Sequence, residues 1–316
     1  MSRIDRRTFL ASSAMVAAAS ALPIGSISAQ ESMRTRAIPG TDEHLPVIGL
    51  GAPAPFNDWP PEGKELPIAL INAMMEHGGR LMDTRPFFRP DPPIVGQLLQ
   101  ELNLQNELFL TTKIPVHGKE EGKAHLERAV ANLGKDPVDL VMVHNFRDMH
   151  WHWPTIKEFK EAGKSRYIGV SLGRPGDSPY NNYATFHALE SFMKKENPDF
   201  IMVPYSIHHP ETAERILPLA ADIGTAVIII EAFKTHDDGG LFGLVAGKEL
   251  PEWAAEFDCE SWAQYSLKYI TSHPAITAVV TETSKVKHVI DNMRGGYGRL
   301  PDEPMRKKME EHLLSL

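Results

Sequence analysis

Eight apolar runs, most with a polar residue at or near the end and each followed by helix-patterned sequence, limit this chain to very few folds. The runs are Leu45–Gly51, Arg80–Thr84, Leu108–Ile114, Asp139–Asn145, Ser165–Leu172, Phe200–Ser206, Ala226–Phe233 and Ile276–Thr283. Between them apolar residues recur at spacings of three and four, as in Ile68-Ile71-Ala73-Met74-Met75 and Leu126-Ala129-Val130-Leu133. That is the period of a helix lying on a core. Val227-Ile228-Ile229-Ile230 is apolar on both faces, as parallel strands buried beneath helices must be. Eight such alternations without a break in composition predict an α/β chain folded as a (β/α)8 TIM barrel over residues 45–316. Asp302–Leu316 reads as an extra C-terminal helix and Leu241–Trp253 as a short insertion after the seventh strand. The loop Gly173–Asn182 reads as a flap over the mouth.

The first 29 residues read as an address rather than as fold. Arg6-Arg7-Thr8-Phe9-Leu10 precedes an Ala/Ser-rich apolar run to Leu22, and Ile27-Ser28-Ala29 offers a cleavage site before Gln30. Paired arginines ahead of a mild apolar core are the pattern of a twin-arginine export signal. The run is too short to span a bilayer. The expected location is therefore periplasmic or otherwise exported. The expected partners are the export machinery and a small molecule, with no stable membrane anchor. Residues 30–44 read as a polar tail. A formal net charge of −8 gives no reason to seek nucleic acid or an anionic membrane. One cysteine, Cys259, excludes an internal disulfide; its acidic neighbours Asp258 and Glu260 mark it as structural.

Barrels of this kind do their chemistry at the C-terminal ends of the strands. Read in order, those ends carry Asp83, Lys113, His144, Ser171, Tyr205 or Ser206, Glu231 and Glu282. His150, His152, His208, His209 and His236 crowd the same rim, but their spacing matches no metal motif, so no metal site is assigned. Phe146, Trp151, Trp153 and Trp59 read as rim packing.

At these ends the chain resembles the aldo/keto reductases. Leu45-Pro46-Val47-Ile48-Gly49-Leu50-Gly51 is similar to the family's opening strand, Thr112-Lys113 to its strand-three lysine motif and Val143-His144 to its strand-four histidine. Gly163-Lys164-Ser165-Arg166-Tyr167-Ile168-Gly169-Val170-Ser171 resembles the stretch entering strand five, and Trp253–Asp258 resembles an export-signal bacterial branch. The resemblance implies a nicotinamide-dependent oxidoreductase with a catalytic aspartate, tyrosine, lysine and histidine. Asp83, Lys113 and His144 occupy three of those places. The motif Asp-Thr-Ala-x-x-Tyr-Gly stands here as Asp83-Thr84-Arg85-Pro86-Phe87-Phe88-Arg89, so Phe88 takes the tyrosine's place. The implied binding positions for NADP or NAD are Ser171, Leu172, Met202, Glu231, Thr283, Ser284, Lys285, His288 and Asn292. Leu172 replaces an asparagine that holds the nicotinamide amide, and Met202 replaces a glutamine. Glu282 and His288 replace cations that hold a 2′-phosphate.

Three readings follow. The first is carbonyl–alcohol hydride transfer with another acid in place of the tyrosine, from His144, Tyr180, Tyr183 or Tyr205. The second is a barrel that has lost hydride transfer and binds a ligand, metal or protein. The third is a lyase or isomerase using Lys113, His144, Asp83 and Glu231.

Overall fold

The computed structural model describes residues 32–51, 56, 63–84, 94–173, 185–235 and 239–316. Residues 1–31, read above as an export signal, lie outside them, as do Phe88, Trp59, Tyr180, Tyr183, His236 and all of the Gly173–Asn182 loop beyond Gly173. The chain enters through an antiparallel hairpin of β1 (Thr35–Ala37) and β2 (His44–Pro46). The strands β3 (Ile48–Gly51), β4 (Leu81–Asp83), β5 (Phe109–Ile114), β6 (Val138–Val143), β7 (Ser165–Ser171), β8 (Phe200–Pro204), β9 (Ala226–Ile230) and β10 (Ala278–Thr281) then close a parallel barrel in chain order. β10 pairs with β3, Val279 against Ile48, to complete it. The predicted eight-stranded barrel is what forms.

Alternation along each strand sorts side chains into two separate cores, as the pleat requires. Leu81, Phe109, Leu140, Met142, Phe200, Met202, Ile228 and Ala278 fill the barrel's interior. Met82, Leu110, Val141, Val143, Ile201, Val203, Ile229 and Val279 face the helices. Gly169 shows how tightly the interior is filled, since a Cβ there would lie 2.3 Å from the Phe200 carbonyl oxygen.

The helical layer comprises α1 (Glu65–Glu76), α2 (Ile94–Glu101), α3 (Lys119–Leu133), α4 (Met149–Glu161), α5 (Phe186–Glu196), α6 (Leu217–Ile223), α7 (Gly240–Leu244), α8 (Trp262–Thr271), α9 (Val286–Arg294) and α10 (Glu303–Leu314). Thr185, Ser261 and Asp302 cap α5, α8 and α10 by accepting the N–H three residues on. None of the helices described is long and apolar enough to cross a membrane. α7 and a 3₁₀ turn at Glu252–Phe257 form the expected insertion after β9, and α10 is the expected C-terminal helix.

The reading of residues 30–44 as a polar tail needs correction from residue 33 onward. Met33, Ile38 and Leu45 are buried, the last two inside the interior core. The hairpin plugs the barrel's N-terminal end. Tyr167 donates to Glu43 Oε2 at 2.8 Å, and Arg166 bridges Glu43 and Asp139. Strands of three residues are too short to show a period, and so this stretch reads as merely polar.

Helix α3 packs on α4 through a notch at Gly122. A Cβ there would lie 2.2 Å from His152 Cε1 and 2.5 Å from Nδ1, well inside van der Waals contact. Gly122→Ala should therefore destabilise the protein, by about 1–3 kcal/mol for overpacking, despite alanine's better helix propensity. A shift of the urea midpoint measures it; a more stable variant would contradict the packing described.

Candidate active site

The β4–β5 register sets Asp83 beside Thr111, and Lys113, two residues on, faces the same way. Lys113 Nζ donates to Asp83 Oδ1 at 2.5 Å and reaches the Thr84 carbonyl at 3.4 Å. Thr111 Oγ1 donates to the same carboxylate oxygen. Lys113 is 4% exposed and Asp83 9%, so the pair is a desolvated one and each charge depends on the other.

His144 follows β6 on the neighbouring strand. Its Nδ1 lies 3.1 Å from Ser171 Oγ, which also accepts the Asn145 N–H at 3.3 Å. Burial pushes the imidazole down to about 3, with the charges of Lys113 and Arg147 adding to the effect. At neutral pH His144 is therefore uncharged. It can orient a carbonyl oxygen by a hydrogen bond, but it is no imidazolium acid.

The backbone leaving His144 is strained. Asn145, Phe146 and Asp148 have φ of 50°, 56° and 45°, a region costing about 1–3 kcal/mol per non-glycine residue. Asn145 uses that conformation to accept the Gly173 N–H at Oδ1, 2.9 Å away. Glu231, at the end of β9, has φ 58°. Strain of this kind gathers at functional sites.

A second group forms where β10 leads into α9. Asn292 Nδ2 donates to Thr281 Oγ1 at 3.1 Å, so this buried side chain ties α9 to the barrel. Thr283 Oγ1 accepts the Lys285 N–H at 3.2 Å and lies 3.4 Å from His288 Nδ1. Glu282, Ser284, Lys285 and His288 are exposed. The sequence candidates thus fall into two groups: Asp83, Lys113, His144 and Ser171 in the mouth, and Glu282–Asn292 from the end of β10 along α9. Leu172 belongs to neither, because its side chain packs in the helix-facing core. Met202 lies inside the barrel, paired across from Ser171.

The Aldo/keto reductase family model matches residues 47–312. This chain belongs to the aldo/keto reductase family. An uncharacterized oxidoreductase of Bacillus subtilis, YqkF, is 23% identical over 89% of this chain and 96% of its own length. The methylglyoxal reductase DkgA of Yersinia pestis is 28% identical over 40% of this chain and 44% of its own. Among solved structures, the holo form of aldo-keto reductase AKR11C1 from Bacillus halodurans superposes with a TM-score of 0.66, at 20% identity over 89% of this chain and 96% of that one. An aldo-keto reductase from Klebsiella pneumoniae in complex with NADPH gives 0.65, at 18% identity over 90% and 95%. At such identities the structures speak for the fold alone.

Within this aldo/keto reductase, Tyr205 cannot be the replacement acid. It is 1% exposed in the outer core, where its hydroxyl donates to Tyr269 at 3.2 Å and accepts from Arg306 at 3.3 Å. It anchors α8 and α10 rather than facing the mouth. The rim histidines are likewise scattered. His152 is buried, His150 is exposed and tilted against Trp151, and His209 is buried beside Ser206. Among the described residues no group of three or more histidine, cysteine or acidic side chains could hold a metal ion. Trp153 and Phe146 pack on Phe192 of α5, while Trp151 is 44% exposed. Burial, more than its acidic neighbours, pushes the Cys259 thiol up to about 12.

Several residues around the site carry no signal that names them in advance. Thr111 could have been found from its two-residue spacing to Lys113. His125, whose Nε2 donates to the Lys113 carbonyl at 3.1 Å, and Arg147, Asp148 and His152 act on main-chain atoms, which no motif records.

Buried and half-buried histidines make the fold acid-sensitive. Burial lowers His125 to about 4, His144 to about 3 and His273 to about 4, and lowers His152 as well. Their folded values lie below the ordinary value of about 6.5, so the unfolded chain binds protons first. Stability should be full above about pH 6.5 and fall as pH drops toward 4, by about 1.4 kcal/mol per pH unit for each well-buried group. Urea midpoints between pH 7 and 5 test this, and a flat profile would contradict it.

Proposed function

We propose that this chain is an exported, nicotinamide-dependent carbonyl reductase in which the Lys113 ammonium, rather than a tyrosine, delivers the proton. The carrying observation is the buried Asp83–Lys113 pair beside a neutral His144. Family membership, an oxidoreductase named in Bacillus subtilis and a methylglyoxal reductase named in Yersinia pestis support the reaction class. The Klebsiella pneumoniae relative bound to NADPH supports the cofactor.

The residues at the phosphate end suit such a cofactor. Thr283, Ser284, Lys285, Lys287 and His288 surround the N-terminal end of α9, a donor set matched to phosphate. Of the family positions for the nicotinamide end, Ser171 lies in the mouth, Met202 lies inside the barrel and Glu231 follows β9, whereas Leu172 packs away in the helix-facing core. When bound, the cofactor supplies a hydride to the carbonyl carbon. Lys113 Nζ moves a proton to the carbonyl oxygen. Asp83 and Thr111 fix the direction of that Nζ. His144 holds the same oxygen through a neutral N–H, and Ser171 sets the ring's orientation.

A carboxylate at the Glu282 position would repel a 2′-phosphate held there. NADPH and NADH should accordingly bind with similar affinity, both weaker than a Kd of about 1 μM, or roughly −8 kcal/mol. Calorimetric titration of the purified protein reads this; NADPH binding far tighter than that would show that the replaced positions do not weaken the cofactor site. The second reading, a barrel that binds without turnover, draws support from the withdrawal of Tyr205 into the core. Absence of any carbonyl turnover at saturating cofactor would favour it.

The export part rests on Arg6-Arg7 and the weakly apolar run behind them. Replacing both arginines with lysine should leave the protein in the cytoplasmic fraction with its N-terminus uncut. Unchanged export would remove that part of the proposal.

A further inference from the structure

Lys113 and His144 lie at the ends of adjacent strands, and the backbone leaving each strand end is tied to the other. Arg147 Nη1 donates to the Pro115 carbonyl at 2.5 Å. His152 Nε2 donates to the Val116 carbonyl at 2.8 Å. Asp148 Oδ2 accepts the Gly118 N–H at 2.8 Å, while Oδ1 faces His117 Nδ1 at 3.3 Å. These main-chain groups all lie within five residues of Lys113, and their side-chain partners all follow His144 within eight.

We propose that Arg147, Asp148 and His152 are positioning residues, forming a clamp that fixes segment 114–118 so that Lys113 Nζ stays aimed at the oxygen that His144 orients. The proposal rests on the reductase reading above. Three features argue for a built device rather than incidental packing. Arg147 and His152 are buried, at 5% and 0% exposure, and both donate to carbonyls that would otherwise lose water without replacement. The chain accepts left-handed conformations at Asn145, Phe146 and Asp148 to bring these side chains round. Gly122 supplies a notch shaped to the His152 ring. His125, holding the Lys113 carbonyl itself, completes the enclosure from α3.

The test compares variants that keep or lose one bond. Asp148→Gly permits the left-handed backbone but removes the acceptor for Gly118; Asp148→Asn keeps an acceptor. His152→Leu removes the donor to Val116; His152→Gln keeps an amide donor. The losing variants should lower kcat on the order of 10²-fold, with KM for the carbonyl changed by less than about threefold. The keeping variants should restore most of it. Amide hydrogen exchange across Val116–Gly118 should quicken in the losing variants and not in the keeping ones. Asp148 is partly exposed, so its variants remain informative if those of His152 fail to fold. Quickened exchange with kcat unchanged per folded molecule would reduce the clamp to a structural tie, and unchanged exchange would remove it. Absence of wild-type turnover would sink the reductase reading alone, and the exchange data would still decide whether the clamp exists.

Discussion

Phe88→Tyr should raise carbonyl turnover by about 10²–10⁴-fold at saturating NADPH, the usual contribution of a well-placed general acid. The prediction comes from the sequence, in which Phe88 stands where the family motif carries its tyrosine. A phenyl ring has no proton to give, and neither side chain nearest the reaction makes up the loss fully. His144 is held neutral by burial and by Lys113, and the Lys113 ammonium is partly committed to Asp83. In the family motif the resemblance implies a tyrosine as the donor and a lysine, here Lys113, as the cation that stabilises its conjugate base. Steady-state rates with a simple aldehyde measure the gain. Wild-type turnover already in the range of ordinary reductases, with no gain on substitution, would show that the departure is harmless.

Lys113→Met should abolish that activity and also lower stability by about 3–5 kcal/mol, because it leaves Asp83 buried without its counter-charge. Thr111 would still donate to the carboxylate, which sets the loss toward the lower end. Adding Asp83→Asn to Lys113→Met should return much of the stability and none of the activity. That pattern separates the charge-pairing role from the catalytic one. Denaturant unfolding of the three variants reads it, and a Lys113→Met protein as stable as wild type would mean that Asp83 finds compensation elsewhere.

The barrel was legible because its signal is redundant. Strand runs such as Val227–Ile230 are apolar on both faces, and each is followed by a helix of period near 3.6. The mouth was legible because polar residues sit at or near the ends of those runs, and Asp83 does meet Lys113. What the sequence hid depends on distances between segments far apart in the chain. Met33 and Ile38 are buried in a stretch that looks like a tail. Tyr205 ends a strand and so reads as a mouth residue, yet a hydrogen bond to Tyr269, 64 residues away, draws it outward. Leu172 and Ser171 are neighbours in sequence, but the pleat sends them to opposite faces of the sheet. The clamp acts on backbone atoms of residues 115–118, and main-chain groups look the same in every sequence.

The central claim is that Asp83, Lys113 and His144 serve a hydride transfer. It is tested most directly by a single turnover with excess protein, NADPH or NADH deuterated at the transferable position, and an aldehyde. Mass spectrometry of the alcohol reads the outcome. Deuterium at the carbinol carbon with wild type, and none with Lys113→Met, is the predicted result. Alcohol lacking deuterium, or no alcohol at saturating concentrations of both nucleotides, would contradict the account.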